Sequence, residues 1–261
     1  MLSAQGFRRF ASLQKTCTYF RTRKCTRSHC VSVDAVRGRV EAEENVRLFP
    51  ELYEETACKR ILLSIDPDIN GALSTFTWNE NQDVSGLSPY NMIRTADIQV
   101  FDMPTEIWQM RSREKRRPSP EALVSFMKQH LEISCDKSNV VARAAVEFTT
   151  PTHLSGKFAW YDSGFASGML YGIFHAMGIP YERVPVSSWK KDFMLTKLGK
   201  PGSMALAREL FAQQSDEYLR RKKDHGRAES LLIGAWALGL RPGGSSDDWE
   251  WPDIESMIDD T

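Results

Sequence analysis

Four side chains able to grip a divalent cation stand at segment ends scattered along the chain: Asp66, Glu147, His225 and Glu229. Asp66 ends the apolar run of "RILLSIDPDINGAL", where Ile61, Leu62, Leu63 and Ile65 lead into Asp-Pro-Asp and an Asn70-Gly71 corner. A turn aspartate bonding to nearby amides explains such a corner by itself, so a metal ligand there needs partners. Glu147 is the first, at the end of the apolar part of "NVVARAAVEFTT". His225 and Glu229 follow in "DHGRAESLLIGAWAL"; four apart on a helix, they share a face with Cβ atoms roughly 5–6 Å apart. Each has an ordinary reading alone: a surface strand end, a capping or core histidine, a solvated helix residue. Together they make an anionic pocket that repels itself until cations arrive.

The chemistry suited to that pocket is phosphodiester hydrolysis with two divalent ions. Mg²⁺ takes oxygen ligands, usually one or two carboxylates plus waters and phosphates. Two such ions about 3.5–4 Å apart activate the attacking water and stabilise the leaving oxygen. Imidazole suits Mn²⁺ better than Mg²⁺, so His225 reads either as a weak Mn²⁺ ligand or as a group positioning water and phosphate. Asp224 is a rival ligand or the N-cap of the helix, and Asp68 is a further possible ligand.

These residues need an α/β scaffold, and the patterning supplies one. Residues 60–66 and 71–78 read as two strands joined by a tight corner, with a third at Ala96–Met103. "RSREKRR", five bases in seven residues, reads as an exposed loop. Ser119 and Pro120 open an amphipathic helix bearing Leu123, Phe126, Met127 and Leu131. A buried strand leads to Glu147, and a helix spans Ser163–Ile179 with Gly164, Gly168 and Gly172 in one stripe. That stripe admits close approach of either the domain's own sheet or a partner's helix. "YERVPVSSW" is the fifth strand, and "GRAESLLIGAWALGL" is the closing helix. The order β-β-β-α-β-α-β-α predicts a mixed five-stranded sheet flanked by helices.

The chain has 261 residues, 41% hydrophobic, enough for one sizeable core. No apolar run nears the ~20 residues of a membrane span, so no membrane is expected. Its five cysteines lack paired zinc spacing. Net charge is zero, yet residues 1–33 carry seven bases and no acid, whereas residues 242–261 carry seven acids and no base. We therefore expect a transit peptide or disordered arm over 1–45, one domain over 46–241 and an acidic, flexible tail over 242–261. Trp249 and Trp251 of that tail are able to dock back, at a place the sequence does not identify.

"LSIDPDINGAL", "AAVEFTT", "VPVSSWKKDFMLTKLGKPGS" and "DHGRAESLLIGAWAL" together resemble the motifs of RuvC-type Holliday-junction resolvases, above all the plant and algal chloroplast resolvases. The likeness runs from about Arg60 to Leu240. It implies an RNase H-like fold and a homodimer that nicks opposed strands of a four-way DNA junction with Mg²⁺ or Mn²⁺. By position it makes Asp66, Glu147, His225 and Glu229 catalytic and metal-binding. The chain departs from the commoner bacterial pattern at Asp68, where glycine is usual, and in having Glu229 as the last acid.

Phosphate contacts supply affinity and register. The candidates are Lys190, Lys191, Lys197 and Lys200, the run Arg220, Arg221, Lys222 and Lys223, and the Arg111–Lys115–Arg117 cluster. Phe158, Trp160 and Tyr161 are candidates for stacking on opened base pairs, with core packing as the alternative. Paired nicks call for a twofold axis, and the resemblance puts Gly164, Gly168 and Gly172 on the dimer helix. The expected location is the chloroplast, with the mitochondrion as alternative. Other readings are an RNase H-like nuclease on RNA/DNA hybrids or other branched DNA, and a non-catalytic junction-binding scaffold. A sugar-kinase or actin-type ATPase lacks its further Gly-rich phosphate turns here.

Overall fold

The structure, a computed structural model, describes residues 47–54, 58–110, 113–131, 140–150, 155–243 and 249–258. The expected leader over 1–45 lies outside the described residues.

The central strand is β1 (Lys59–Ile65), buried along nearly its whole length, as a strand covered on both faces must be. It pairs antiparallel with β2 (Ala72–Trp78), which pairs antiparallel with β3 (Asp97–Asp102). On its other side β1 runs parallel to β6 (Val140–Phe148), and β6 runs parallel to β7 (Tyr181–Pro185). The resulting order, β3-β2-β1-β6-β7, is the RNase H-like arrangement, a mixed five-stranded sheet as expected from the sequence.

Alternation along β1 divides the core. Ile61, Leu63 and Ile65 pack with α2 (Pro120–His130) and α3 (Lys157–Met177), through Leu123, Phe126, Leu170 and Phe174. Leu62 faces the opposite layer, formed by α4 (Val186–Asp192), α5 (Gly199–Leu210) and α7 (His225–Ala237). Sequence and caps agree locally. Ser119 accepts from the Ala122 amide ahead of Pro120 at the start of α2, and Gly178, at φ 66°, ends α3 in the left-handed region that glycine tolerates.

The pattern missed several elements. A short helix, α1 (Pro89–Thr95), precedes β3, and α6 (Ala212–Tyr218) follows α5. The segment read as an exposed loop is instead a strand, β5 (Arg113–Pro118), paired antiparallel with β4 (Thr105–Met110) in a separate hairpin. Arg117 shows why. It is buried, its guanidinium set over the rings of Trp108, Tyr161 and Phe165, so a cation occupies the inward position usually held by an apolar side chain. The glycine helix begins earlier than expected, at Lys157, placing Phe158, Trp160 and Tyr161 on its first turns. A Cβ at Gly164, Gly168 or Gly172 would meet nothing within 4 Å, so the stripe does not pack on the domain's own sheet.

The tail's indoles do dock. Trp249 stacks on Tyr90 and Trp251 lies against Phe193, followed by a last turn, α8 (Ile254–Ile258), with Ile254 buried. No helix among the described residues is long and apolar enough to cross a membrane.

Candidate metal centre

Strand register brings the first two carboxylates together. Ile65 lies opposite Val146 in the parallel β1–β6 pair, so Asp66 and Glu147 follow side by side on strands about 4.8 Å apart. Asp66 shares the face of Ser64 and Leu62, and Glu147 shares that of Ala145, which packs in the α7 layer.

Helix α7 delivers the third. Ser230 is held at the sheet by Ser64 Oγ, which donates to its carbonyl at 2.7 Å, and by a 2.6 Å hydroxyl–hydroxyl bond with Ser74. Glu229, the neighbouring residue, is thereby fixed beside Asp66. Backbone crowding sets the approach. A Cβ on Gly226 would collide with the Asn70 carbonyl, and one on Gly71 with the Asp66 carbonyl, so only glycine lets α7, the turn and β1 close up. Arg227 donates to both carboxylate oxygens of Asp102 at 2.6 and 2.8 Å, tying the same helix to the end of β3.

Ligand atoms of Asp66, Glu147 and Glu229 all lie within 4.8 Å of one another, and all three residues are buried. Burial, reinforced by the charges of Glu147, Asp68 and Glu229, pushes the Asp66 carboxyl well above the usual range. Burial likewise pushes Glu147 up to about 7, with Glu229 adding to the shift and Lys190 opposing it. The Lys190 ammonium donates to Glu229 at 2.7 Å, and the Trp189 indole donates to Glu147 at 3.4 Å. Asp66 accepts a 3.2 Å bond from the Asp68 amide. Hard oxygen donors with anionic charge in excess of the nearby lysine fit divalent cations.

A cavity of about 510 Å³ opens over the trio, with Asp68, Arg116, Arg117, Lys200 and His225 in its wall. His225 is half-buried at that wall and outside the carboxylate group, its Nε2 2.9 Å from Lys200 Nζ. Asp224 stands at the N-cap position without capping the helix; its carboxylate accepts instead from the Arg221 amide and guanidinium. Burial pushes this carboxyl upward, and the Arg221 bonds more than offset that, holding it below the usual range.

The basic candidates differ in partners and exposure. Lys190 belongs to the carboxylate cluster, Arg221 to Asp224, and Arg220 donates to the Asp216 carbonyl. Lys191, Lys197, Lys200, Lys222 and Lys223 are exposed. Phe158, Trp160 and Tyr161 are exposed too, which excludes core packing for them. Arg111 lies outside the described residues. Of the basic cluster put forward for phosphate contact, Lys115 pairs with Asp162; sequence reasoning missed Arg116, which donates to the Ile69 carbonyl and Asn70 Oδ1 at the metal-centre turn. The dense basic run was the available signal.

No protein-family model matches the chain. Two solved structures of Thermus thermophilus RuvC align with it. One, in complex with a Holliday junction substrate, covers 67% of this chain and 91% of its own at 11% identity, with a TM-score of 0.37. The other covers 67% and 92% at 14% identity, with a TM-score of 0.34. In sequence, 85 residues, 32% of this chain, are 47% identical to the chloroplastic Holliday junction resolvase MOC1 of Chlamydomonas reinhardtii. That match spans 10% of the relative's length. The resemblance carried by the motifs is thus met in sequence by a chloroplastic Holliday junction resolvase.

Proposed function

We propose that this protein is a metal-dependent endonuclease that resolves four-way DNA junctions by paired nicks in opposed strands. The observation that carries the reading is the convergence of Asp66, Glu147 and Glu229 into one buried group beneath an open, cation-walled cavity. Asp66, Glu147 and Glu229 would hold two Mg²⁺ or Mn²⁺ ions. Bound there, the metal supplies Lewis acidity to the scissile phosphate and its attacking water.

The chain's own groups do the rest. Lys190 neutralises part of the charge on Glu229 and holds its carboxylate in place. Lys200 and His225, bonded to each other at the cavity wall, offer donors to a phosphate oxygen or to the attacking water. Lys191, Lys197, Lys222 and Lys223 supply phosphate contacts on the arms. Phe158 and Trp160, exposed on the first turns of α3, stack on bases opened at the branch point. Two copies joined along Gly164, Gly168 and Gly172 would aim two such centres at symmetric phosphates; the open stripe supports this. The basic, acid-free first 33 residues and the chloroplastic relative support action in chloroplast DNA recombination.

The test is a labelled mobile four-way junction incubated with Mg²⁺ or Mn²⁺ and with wild type or Asp66→Asn. Symmetric, ligatable nicks from wild type alone, abolished by chelation, are expected. Faster cutting of an RNA/DNA hybrid or flap would replace the junction as substrate. Tight junction binding with no cutting in either metal would make the protein a scaffold.

A further inference from the structure

Exposed large hydrophobic side chains fall in two places among the described residues. Ile107, Trp108, Phe158, Trp160 and Tyr161 lie on the hairpin and the start of α3, and Met194 lies apart from them, 56% exposed. Met194 sits in the turn between α4 and α5 at φ 59°, the left-handed region where a helix normally ends on glycine. The turn is anchored on both sides. Phe193 and Leu195 are each 0% exposed, and the Met194 and Leu195 amides donate to the Lys191 and Lys190 carbonyls at 3.0 and 2.7 Å. Met194 therefore has its backbone locked and its side chain held outward, at a double disadvantage in backbone strain and exposed apolar surface.

Its surroundings are cationic and close to the proposed chemistry. Lys190, whose carbonyl closes the turn, bonds to Glu229 through its ammonium; Lys200, the second residue of α5, bonds to His225. Lys191 and Lys197 flank the turn in solvent. An apolar side chain on a locked backbone, with lysines on either side of it along the chain, matches the way nucleic-acid-binding proteins press apolar side chains against bases while cations take the phosphates.

We propose that Met194 is a DNA-contact residue that favours junction over plain duplex, its side chain lodging against base faces laid open near the branch point. The inference rests on the junction-resolving reading. A glycine there would relieve the strain but could not make the contact.

The test compares wild type with Met194→Gly, Met194→Ala and Met194→Leu. Melting is followed without DNA, binding to a labelled four-way junction and to one of its duplex arms is measured in an Asp66→Asn background, and single-turnover cleavage is run in Mg²⁺. Met194→Gly should melt about 2–4 °C higher yet bind the junction about tenfold more weakly, with duplex binding nearly unchanged. Met194→Ala should lose the same binding without the gain in melting temperature, and Met194→Leu should retain wild-type binding. Wild-type junction affinity and cutting in the Gly and Ala variants overturn the proposal, as does a Gly variant that melts lower than wild type. Wild type that shows no preference for the junction over duplex overturns the resolvase reading itself, and the Met194 assignment with it.

Discussion

Asp66 and Glu147 stand side by side one residue beyond the Ile65–Val146 pair of parallel strands β1 and β6, with both carboxyls buried on the face covered by α7. Two acids so placed cannot share a dry site as anions without an outside cation, and their raised affinities for protons follow from that.

The stability of the metal-free protein should accordingly depend on pH. Both carboxyls bind protons more tightly folded than unfolded, Glu147 with a value near 7 against an ordinary 4.5. The stabilisation is complete below the unfolded-state value and is lost as pH rises through about 7. Glu147→Gln should remove the Glu147 share of that dependence and stabilise the chelated protein at pH 8 by order of 1–3 kcal/mol. Thermal melts in chelator at pH 5 and pH 8 check it. A wild type that melts higher at pH 8 than at pH 5, by an amount Glu147→Gln abolishes, refutes the assignment.

Mg²⁺ or Mn²⁺ at pH 8 should raise the melting temperature of wild type, since a ligand bound only by the folded state stabilises it by mass action. Asp66→Asn should blunt the gain, and nicking should fall below detection. Ca²⁺, larger and more loosely coordinated, should stabilise without supporting cutting.

Lys190→Met leaves Glu229 without its ammonium partner in a buried cluster. Removing one partner of a buried pair costs several kcal/mol; with Lys190 22% exposed, about 1–3 kcal/mol is expected in chelator. Saturating Mg²⁺ should close most of that gap, because the cation replaces the lost charge. Paired melts with and without Mg²⁺ measure both. A deficit unchanged by metal would place Lys190 outside the metal-binding group.

Gly226→Ala forces a Cβ into the Asn70 carbonyl and so pushes α7 from the β1–β2 turn. Junction cutting should fall by about 10²-fold, the usual cost of ångström-scale misplacement, and the Mg²⁺ needed for half-maximal rate should rise. A metal titration of the cutting rate checks this; an unchanged midpoint would show that the turn and α7 do not share the ion.

Much of this was legible because local signals coincided with tertiary roles. Asp66 announced itself by ending a largely apolar run on a carboxylate, and Ser119-Pro120 marked the start of α2 by cap chemistry alone. Glu229 was placed by its four-residue spacing from His225, although the structure puts the histidine at the wall and only the glutamate among the gathered carboxylates. The hairpin was illegible because its inward residue is Arg117, and an aromatic cage made from β4 and α3 cannot be read from the run "REKRR". The pairing of Lys190 with Glu229 was hidden for the same reason: a lysine on α4 looks solvated until α7 is laid beside it. Helix α5, with Met204, Leu206, Ala207 and Leu210 buried, did carry an apolar pattern that could have been assigned.

The serine trio that seats α7 joins Ser64 to Ser230, 166 positions apart. A nascent polypeptide leaving the ribosome thus exposes its first acid long before its last exists. The three-carboxylate group, and any chemistry it supports, can assemble only once Glu229 has emerged.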